Sequence, residues 1–172
     1  IEENIIPNYV IGDFDSLGYN PQNNKKSFEI ISYDVRKDDT DTMLAVKKAL
    51  ELGYKIIKIY GATGGRLDHT IANIKTLCYI AKEGEIGFII SKNGCIISFA
   101  NGTVYFSDEF NGTISVFAMN GDAESVSIDG LGYEAELECL HTDSILGVSN
   151  YFKGSASRIS VKQGTLTVFC NY

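Results

Sequence analysis

The stretch TDTMLAVKKALELGYKIIKIYGATGGRLDHTIANIKTLCYIAKEG, Thr40 to Gly84, switches hydrophobic period from helical to extended and back, and that switch decides how the front of the chain is read. Met43, Val46 and Leu50 fall on one helical stripe with Ala45, Ala49 and Leu52 beside it, while Lys47, Lys48 and Glu51 face outward. Gly53 supplies the stop. Ile56 to Tyr60 is a β-branched and aromatic run. After the turn GATGG, a second helical face of Ile71, Ile74, Leu77 and Ala81 runs to Gly84. Working outward, Tyr9 to Ile11 and Phe28 to Ser32 read as two further short strands. Strands alternating with helices across short links predict a parallel sheet flanked by helices, a Rossmann-like α/β domain over residues 1–91. Ligands of such a sheet sit beyond the carboxyl ends of its strands.

Past Gly84 the helical period vanishes. Short apolar or alternating stretches recur instead: Ile86 to Ile90, Cys95 to Phe99, Thr103 to Phe106, Thr113 to Ala118, Ser125 to Ile128, Ile159 to Val161 and Thr165 to Phe169. Asn-Gly at Asn93, Asn101, Asn111 and Asn120 falls beside strand ends, as tight hairpins prefer. An all-β sandwich or barrel is expected over residues 92–172, with the boundary near Ser91 to Asn93.

Composition narrows the function. A chain of 172 residues with 44% hydrophobic content buries one sizeable core or two small ones. Its formal net charge of −7 argues against a nucleic-acid partner, so a phosphate ligand is expected to arrive with its own metal. Cys78, Cys95, Cys139 and Cys170 lie far apart with no C-x-x-C pair, which predicts reduced thiols in a cytoplasmic protein and neither a zinc knuckle nor a dithiol motif. No apolar run reaches the length of a membrane span and no signal peptide marks the start, so a soluble protein with no membrane partner is expected. The chain reaches a strand almost at once and has no initiator methionine, which suggests a beginning partway into a domain.

Three acidic clusters, GDFDS at Gly12 to Ser16, KDDTDT at Lys37 to Thr42 and GGRLDH at Gly64 to His69, map to the expected carboxyl edge. Asp13 and Asp15 are one residue apart and point to the same side of an extended segment, where they either share a hard cation or cap a strand end. Asp38 and Thr40 fit helix capping, and Asp41 in the first helical turn projects toward the same edge. In GATGGRLDH, Gly64 and Gly65 permit close backbone approach, Thr63 adds a hydroxyl and Arg66 a positive fork for phosphate oxygens. The segment is neither a Walker A loop nor G-x-G-x-x-G. Asp68 fits both a helix cap and a functional group, and His69 either a functional group or a surface hydrogen-bonding residue. For Ser149 and Asn150 in LGVSN, the residues alone favour a hairpin turn over contact with a heteroaromatic ring.

Taken in order, GDFDS, KDDTDTMLAVKKALELG, GATGGRLDHTIANI and LGVSN resemble thiamine pyrophosphokinase family sequences through nearly the whole chain. The resemblance implies a catalytic α/β domain and a β-rich thiamine-binding domain in a homodimer whose sites lie between subunits. It implies magnesium-dependent transfer of a pyrophosphoryl group from ATP to the hydroxyl of thiamine, giving thiamine diphosphate and AMP. By position, Asp13, Asp15 and Asp41 match the family's metal acids, with Thr40 adjacent on the ATP side. Arg66, Asp68 and His69 match its nucleotide motif, with Thr63, Gly64 and Gly65 in the same loop, and Ser149 with Asn150 the segment facing the thiamine pyrimidine. Asp41 or Asp68 is expected to orient the attacking hydroxyl or take its proton. An upstream strand and helix leading to a D-G-G segment, about 30 residues, is absent from the chain as given. A pyrophosphokinase of another heterocyclic alcohol such as a hydroxymethylpterin, and a non-catalytic nucleotide- or thiamine-binding module, are the alternatives.

Overall fold

The computed structural model describes residues 6–14, 28–34 and 38–171. The chain separates into two compact units, Ile1–Gly53 and Tyr54–Tyr172. In the first, β1 (Tyr9–Gly12) and β2 (Glu29–Ser32) pair in parallel, Gly12 opposite Ser32, so both strands finish at one edge. Helix α1 (Asp41–Glu51) packs on β1 and buries Val46. Thr40 starts it: its hydroxyl accepts the Met43 N–H at 3.2 Å, satisfying one of the donors a helix N-terminus leaves open.

The second unit begins with β3 (Ile56–Tyr60), α2 (Leu67–Lys82) and β4 (Ile86–Ser91), with β3 and β4 parallel. Strands β5 (Gly94–Ala100), β6 (Thr103–Phe106), β7 (Thr113–Phe117), β8 (Ala123–Asp129), β9 (Ala135–Leu140), β10 (Asn150–Tyr151), β11 (Ser157–Gln163) and β12 (Thr165–Asn171) follow. They form a six-stranded sheet, β10-β7-β12-β5-β4-β3, and a four-stranded sheet, β6-β11-β8-β9. One apolar cluster draws on both sheets, among its members Phe99, Val116, Val126, Ile159 and Leu166. Helix α2 covers β4, β5 and β12 with Leu77, Cys78 and Ile80. It sits so close to β4 that a Cβ on Gly87 would lie 2.9 Å from Leu77 Cδ2, which is why a strand interior carries glycine there. Beneath the helix, the buried Thr167 hydroxyl meets Ser98 Oγ at 2.9 Å and Cys78 Sγ at 3.6 Å, so the polar atoms on this face are paired with one another.

This β-rich architecture overturns the expected Rossmann-like α/β domain. Among the described residues there are twelve strands and two helices, and the parallel pairing at the front of the chain is confined to two separate strand pairs, β1–β2 and β3–β4. The β1–β2 pair is a separate two-stranded sheet, while the β3–β4 pair is the rim of a mixed sheet whose other neighbours are antiparallel. The reason lies in the tight turn at Lys92 and Asn93, which folds β4 directly back onto β5 with Ser91 opposite Gly94. A two-residue hairpin permits only antiparallel pairing, so the sheet runs straight through the place where a change of architecture was expected. Strand β9, sequence AELECL, escaped the strand reading because its glutamates hide the apolar alternation; it is the edge of the four-stranded sheet, where charged side chains are tolerated.

Candidate active site

At the finishing edge of β1 and β2, Asp41 is the first helical residue of α1. Its carboxylate folds back over the strand end: a Cβ on Gly12 would lie 3.2 Å from Asp41 Oδ2. Asp41 therefore stands against Gly12, the residue before Asp13 in the chain, at a helix N-terminus that favours negative charge. Asp39 is tied to Lys47 by an ion pair at 2.5 Å, leaving the capping to Thr40. Asp15 lies outside the described residues. Asp13 and Asp41 offer only carboxylate oxygen, the donor type that suits a hard cation such as magnesium, which needs few protein ligands when a substrate phosphate supplies the rest.

In the second unit the loop after β3 carries the glycines. Gly61 and Gly64 take φ of +69° and +99°, a backbone that residues with a Cβ rarely adopt. Asn73 of α2 pins the loop by donating from Nδ2 to the Ala62 carbonyl at 2.9 Å, a role sequence reasoning missed. Beyond the ends of β3 and β4 lies a cleft of about 570 Å³, lined by Tyr60, Gly61, Thr63, Ser91, Lys92 and Asn93 among others. Thr63 alone of the expected nucleotide residues lines it.

Arg66, Asp68 and His69 gather at the start of α2. Arg66 is the N-cap, so Asp68 is not the cap residue; it accepts the His69 N–H at 3.0 Å from within the first turn. The guanidinium grips the same carboxylate with two bonds, Nε to Oδ1 at 3.1 Å and Nη2 to Oδ2 at 2.6 Å. The Arg66 hydrogen bond holds the Asp68 carboxyl below its ordinary value, and the Arg66 guanidinium is raised in turn. Both side chains are mostly exposed, 73% and 64%, so solvent reaches the pair although the fork is engaged by Asp68.

The segment Leu146 to Asn150 is built differently. Gly147 lies against β7, where an added Cβ would fall 2.2 Å from the Val116 carbonyl oxygen, and its own carbonyl accepts the Val116 N–H at 2.9 Å. Ser149, at φ +61°, donates its N–H to Ser115 Oγ at 3.1 Å. Asn150 is 4% exposed. Its Oδ1 accepts the N–H groups of Tyr133 and Tyr151, each at 2.9 Å, and its Nδ2 donates to the Tyr133 carbonyl at 2.7 Å. The amide is thus a clamp on Tyr133, and both acceptor positions of Oδ1 are taken. Beside it opens a cleft of about 370 Å³ lined by Tyr133, Glu134, Leu137, Leu146, Val148 and Asn150 among others. Glu134 is kept ionised by the hydrogen bond from Lys153 and then by the Gly130 N–H, which lower its carboxyl below the ordinary value. No sequence pattern pointed to Tyr133 or Glu134, since they lie far along the chain from LGVSN.

Comparison with known proteins now identifies the parts. Residues 1–88 match the thiamin pyrophosphokinase catalytic domain and residues 95–166 the thiamin pyrophosphokinase vitamin B1 binding domain. Thiamine pyrophosphokinase of Bacillus subtilis (strain 168) is 31% identical over 169 residues, covering 96% of this chain and 79% of that protein. A crystal structure of the Bacillus subtilis thiamine pyrophosphokinase superposes with a TM-score of 0.82 at 29% identity, covering 99% of this chain and 81% of the other. Thiamin pyrophosphokinase from Candida albicans shares the fold with a TM-score of 0.74 at 16% identity, covering 98% of this chain and 75% of the other.

Proposed function

This chain belongs to the thiamin pyrophosphokinase family, and we propose how its residues divide the work of that activity. It transfers the pyrophosphoryl group of ATP to the hydroxyl of thiamine, giving thiamine diphosphate and AMP. The hydroxyl oxygen attacks the β-phosphorus, the bond from that phosphorus to the α-phosphate oxygen breaks, and AMP departs. Such a transfer needs alignment and charge neutralisation more than covalent help.

Asp13, Asp15 and Asp41 are the residues that would hold magnesium, which when bound offsets charge on the phosphates. The carboxylate of Asp41 over Gly12 supports this. Thr40, besides capping α1, stands beside Asp41 on the ATP side. Gly64 and Gly65 let phosphate approach the backbone, Thr63 adds its hydroxyl, and Arg66 exchanges its hold on Asp68 for phosphate oxygens. Asp68, freed by that exchange, and Asp41 are the candidates to orient the hydroxyl and receive its proton. His69 completes the nucleotide side.

The observation that carries thiamine as acceptor is the cleft beside Asn150, whose mostly apolar lining includes the exposed Tyr133 ring and the Glu134 carboxylate, itself paired with Lys153. Tyr133 and Glu134 suit a flat cationic heterocycle. Ser149 and Asn150 place that wall, Asn150 through its three bonds to Tyr133 and Tyr151. Nothing in this cleft calls for a pterin, and the vitamin B1 binding match supports thiamine over it.

The working form we propose is a homodimer with sites between subunits; the exposed Ile145, Leu146, Val148 and Tyr151 provide apolar surface for a second copy. All four cysteines are free thiols, consistent with a cytoplasmic enzyme. No helix among the described residues is long and apolar enough to cross a membrane.

Incubation with ATP, magnesium and thiamine should release AMP together with thiamine diphosphate, and a pterin alcohol should not replace thiamine. Asp41→Asn should lower turnover by at least about 100-fold, the scale of a lost electrostatic contact to the transition state, with an unchanged unfolding transition. Normal turnover in that variant would remove Asp41 from the site.

A further inference from the structure

We infer that Asp122, Cys139 and His141 form a binding site for a divalent transition metal of zinc type, separate from the carboxylates proposed for magnesium. Among the described residues this is the only group of at least three His, Cys, Asp or Glu side chains whose ligand atoms all lie within 4.8 Å of one another. The sheet register creates it. Ala123 pairs with Leu140 and Glu124 with Cys139, which sets Asp122 across from His141 at the end of the β8–β9 ladder. Cys139 and His141, two residues apart, lean to one side.

The spacing fits a tetrahedral ion. With zinc about 2.3 Å from sulfur and about 2.0 Å from nitrogen or oxygen, tetrahedral angles place sulfur and nitrogen about 3.5 Å apart and nitrogen and oxygen about 3.3 Å apart. Cys139 Sγ lies 3.6 Å from His141 Nδ1, and His141 Nδ1 lies 2.8 Å from Asp122 Oδ2. Oδ2 must retreat from Nδ1 by roughly half an ångström on that geometry, and Asp122 and His141 have side chains 49% and 64% exposed that allow it. The other oxygen, Oδ1, accepts the Thr142 N–H at 2.8 Å and so orients the carboxylate from behind, as outer hydrogen bonds do in metal sites. Three protein ligands of mixed sulfur, nitrogen and oxygen type leave a fourth position to water. Soft sulfur and imidazole select zinc, cobalt or copper over magnesium. Glu124, register partner of Cys139, adds negative charge nearby.

A bound ion would tie β8 to the root of the 142–149 segment, which carries Leu146 and Val148 into the apolar cleft.

The test is titration of the metal-free full chain with cobalt(II), followed by electronic absorption. The expected result is a thiolate-to-cobalt charge-transfer band together with the visible bands of tetrahedral cobalt, saturating at one ion per chain. Zinc should bleach these bands and a large excess of magnesium should not. Cys139→Ser should abolish the charge-transfer band, His141→Ala should weaken binding at least tenfold, and Asp41→Asn should leave the spectrum intact. Absence of the charge-transfer band, or its survival in Cys139→Ser, would overturn the assignment. Because Cys139 is only partly exposed and lies at a strand end, a matching far-ultraviolet circular dichroism spectrum for Cys139→Ser separates lost ligation from lost fold.

Discussion

The loop leading into α2 and the wall beside Asn150 solve the placement of polar groups in opposite ways. Around Arg66 the side chains are exposed and bonded chiefly to one another, so a ligand has to take partners that are already engaged. Around Asn150 a nearly buried amide spends its acceptor capacity on the backbone of Tyr133 and Tyr151, which fixes the cleft before any ligand arrives. An exchangeable pair in high dielectric costs the fold little to disturb. A buried amide is expensive to disturb, because its removal leaves polar backbone groups without their partner. The first region should answer mutation in catalysis and the second in structure and acceptor binding.

The sharpest way to break that contrast is Arg66→Ala. Loss of the fork should reduce kcat/KM for ATP by about 100-fold, while the denaturant midpoint translates to a stability change within about 0.5 kcal/mol. A comparable loss of stability would show that the Arg66–Asp68 pair is structural. Next in size, Asn150→Ala should cost about 1–3 kcal/mol in equilibrium unfolding, the penalty for stranding hydrogen-bonding groups, and should raise KM for thiamine more than it lowers kcat. Unchanged stability would dissolve the distinction between the two regions. Tyr133→Leu should raise KM for thiamine roughly 5-fold, matching about 1 kcal/mol for a cation over an aromatic face. Tyr133→Phe, which keeps the ring, should leave it near the parent value.

The smallest effect lies at the β8–β9 end and concerns pH. The hydrogen bond that His141 donates to Asp122 raises the imidazole above its ordinary value, and the Asp122 carboxyl is correspondingly lowered. A raised folded-state value means that the stabilising contribution of His141 is complete below its unfolded value of about 6.5 and fades as the pH climbs through the folded one. An NMR titration of His141 in metal-free protein should therefore give a midpoint above the ordinary histidine value, and Asp122→Asn should return it there.

Much of the local structure was legible along the chain because it depends on neighbours in sequence. The stripe of Met43, Val46 and Leu50 announced α1, and Thr40 announced its cap, since a helix and its first turn are set by residues a few positions apart. Asn-Gly at Asn93 announced a hairpin with equal force. Its consequence for the architecture was harder to see: a hairpin joins the strands on either side, so the point taken as a boundary between two kinds of fold is where one sheet continues. Strand β9 was hidden by the glutamates that its edge position permits.

The candidate site divides along the same line. By itself the sequence pointed to residues able to carry chemistry, the clustered aspartates and the glycine-rich turn with Arg66, because acidity and backbone freedom belong to residue types, while the residues of LGVSN alone favoured a hairpin turn. Only the tertiary structure decided that Asp41 folds over Gly12, that Asn150 spends its amide on Tyr133, and that Asp122 meets Cys139 and His141. Those meetings follow from strand register and from the packing of elements distant in the chain. Such long-range pairings are fixed by burying a shared core, and no short window of sequence contains both partners.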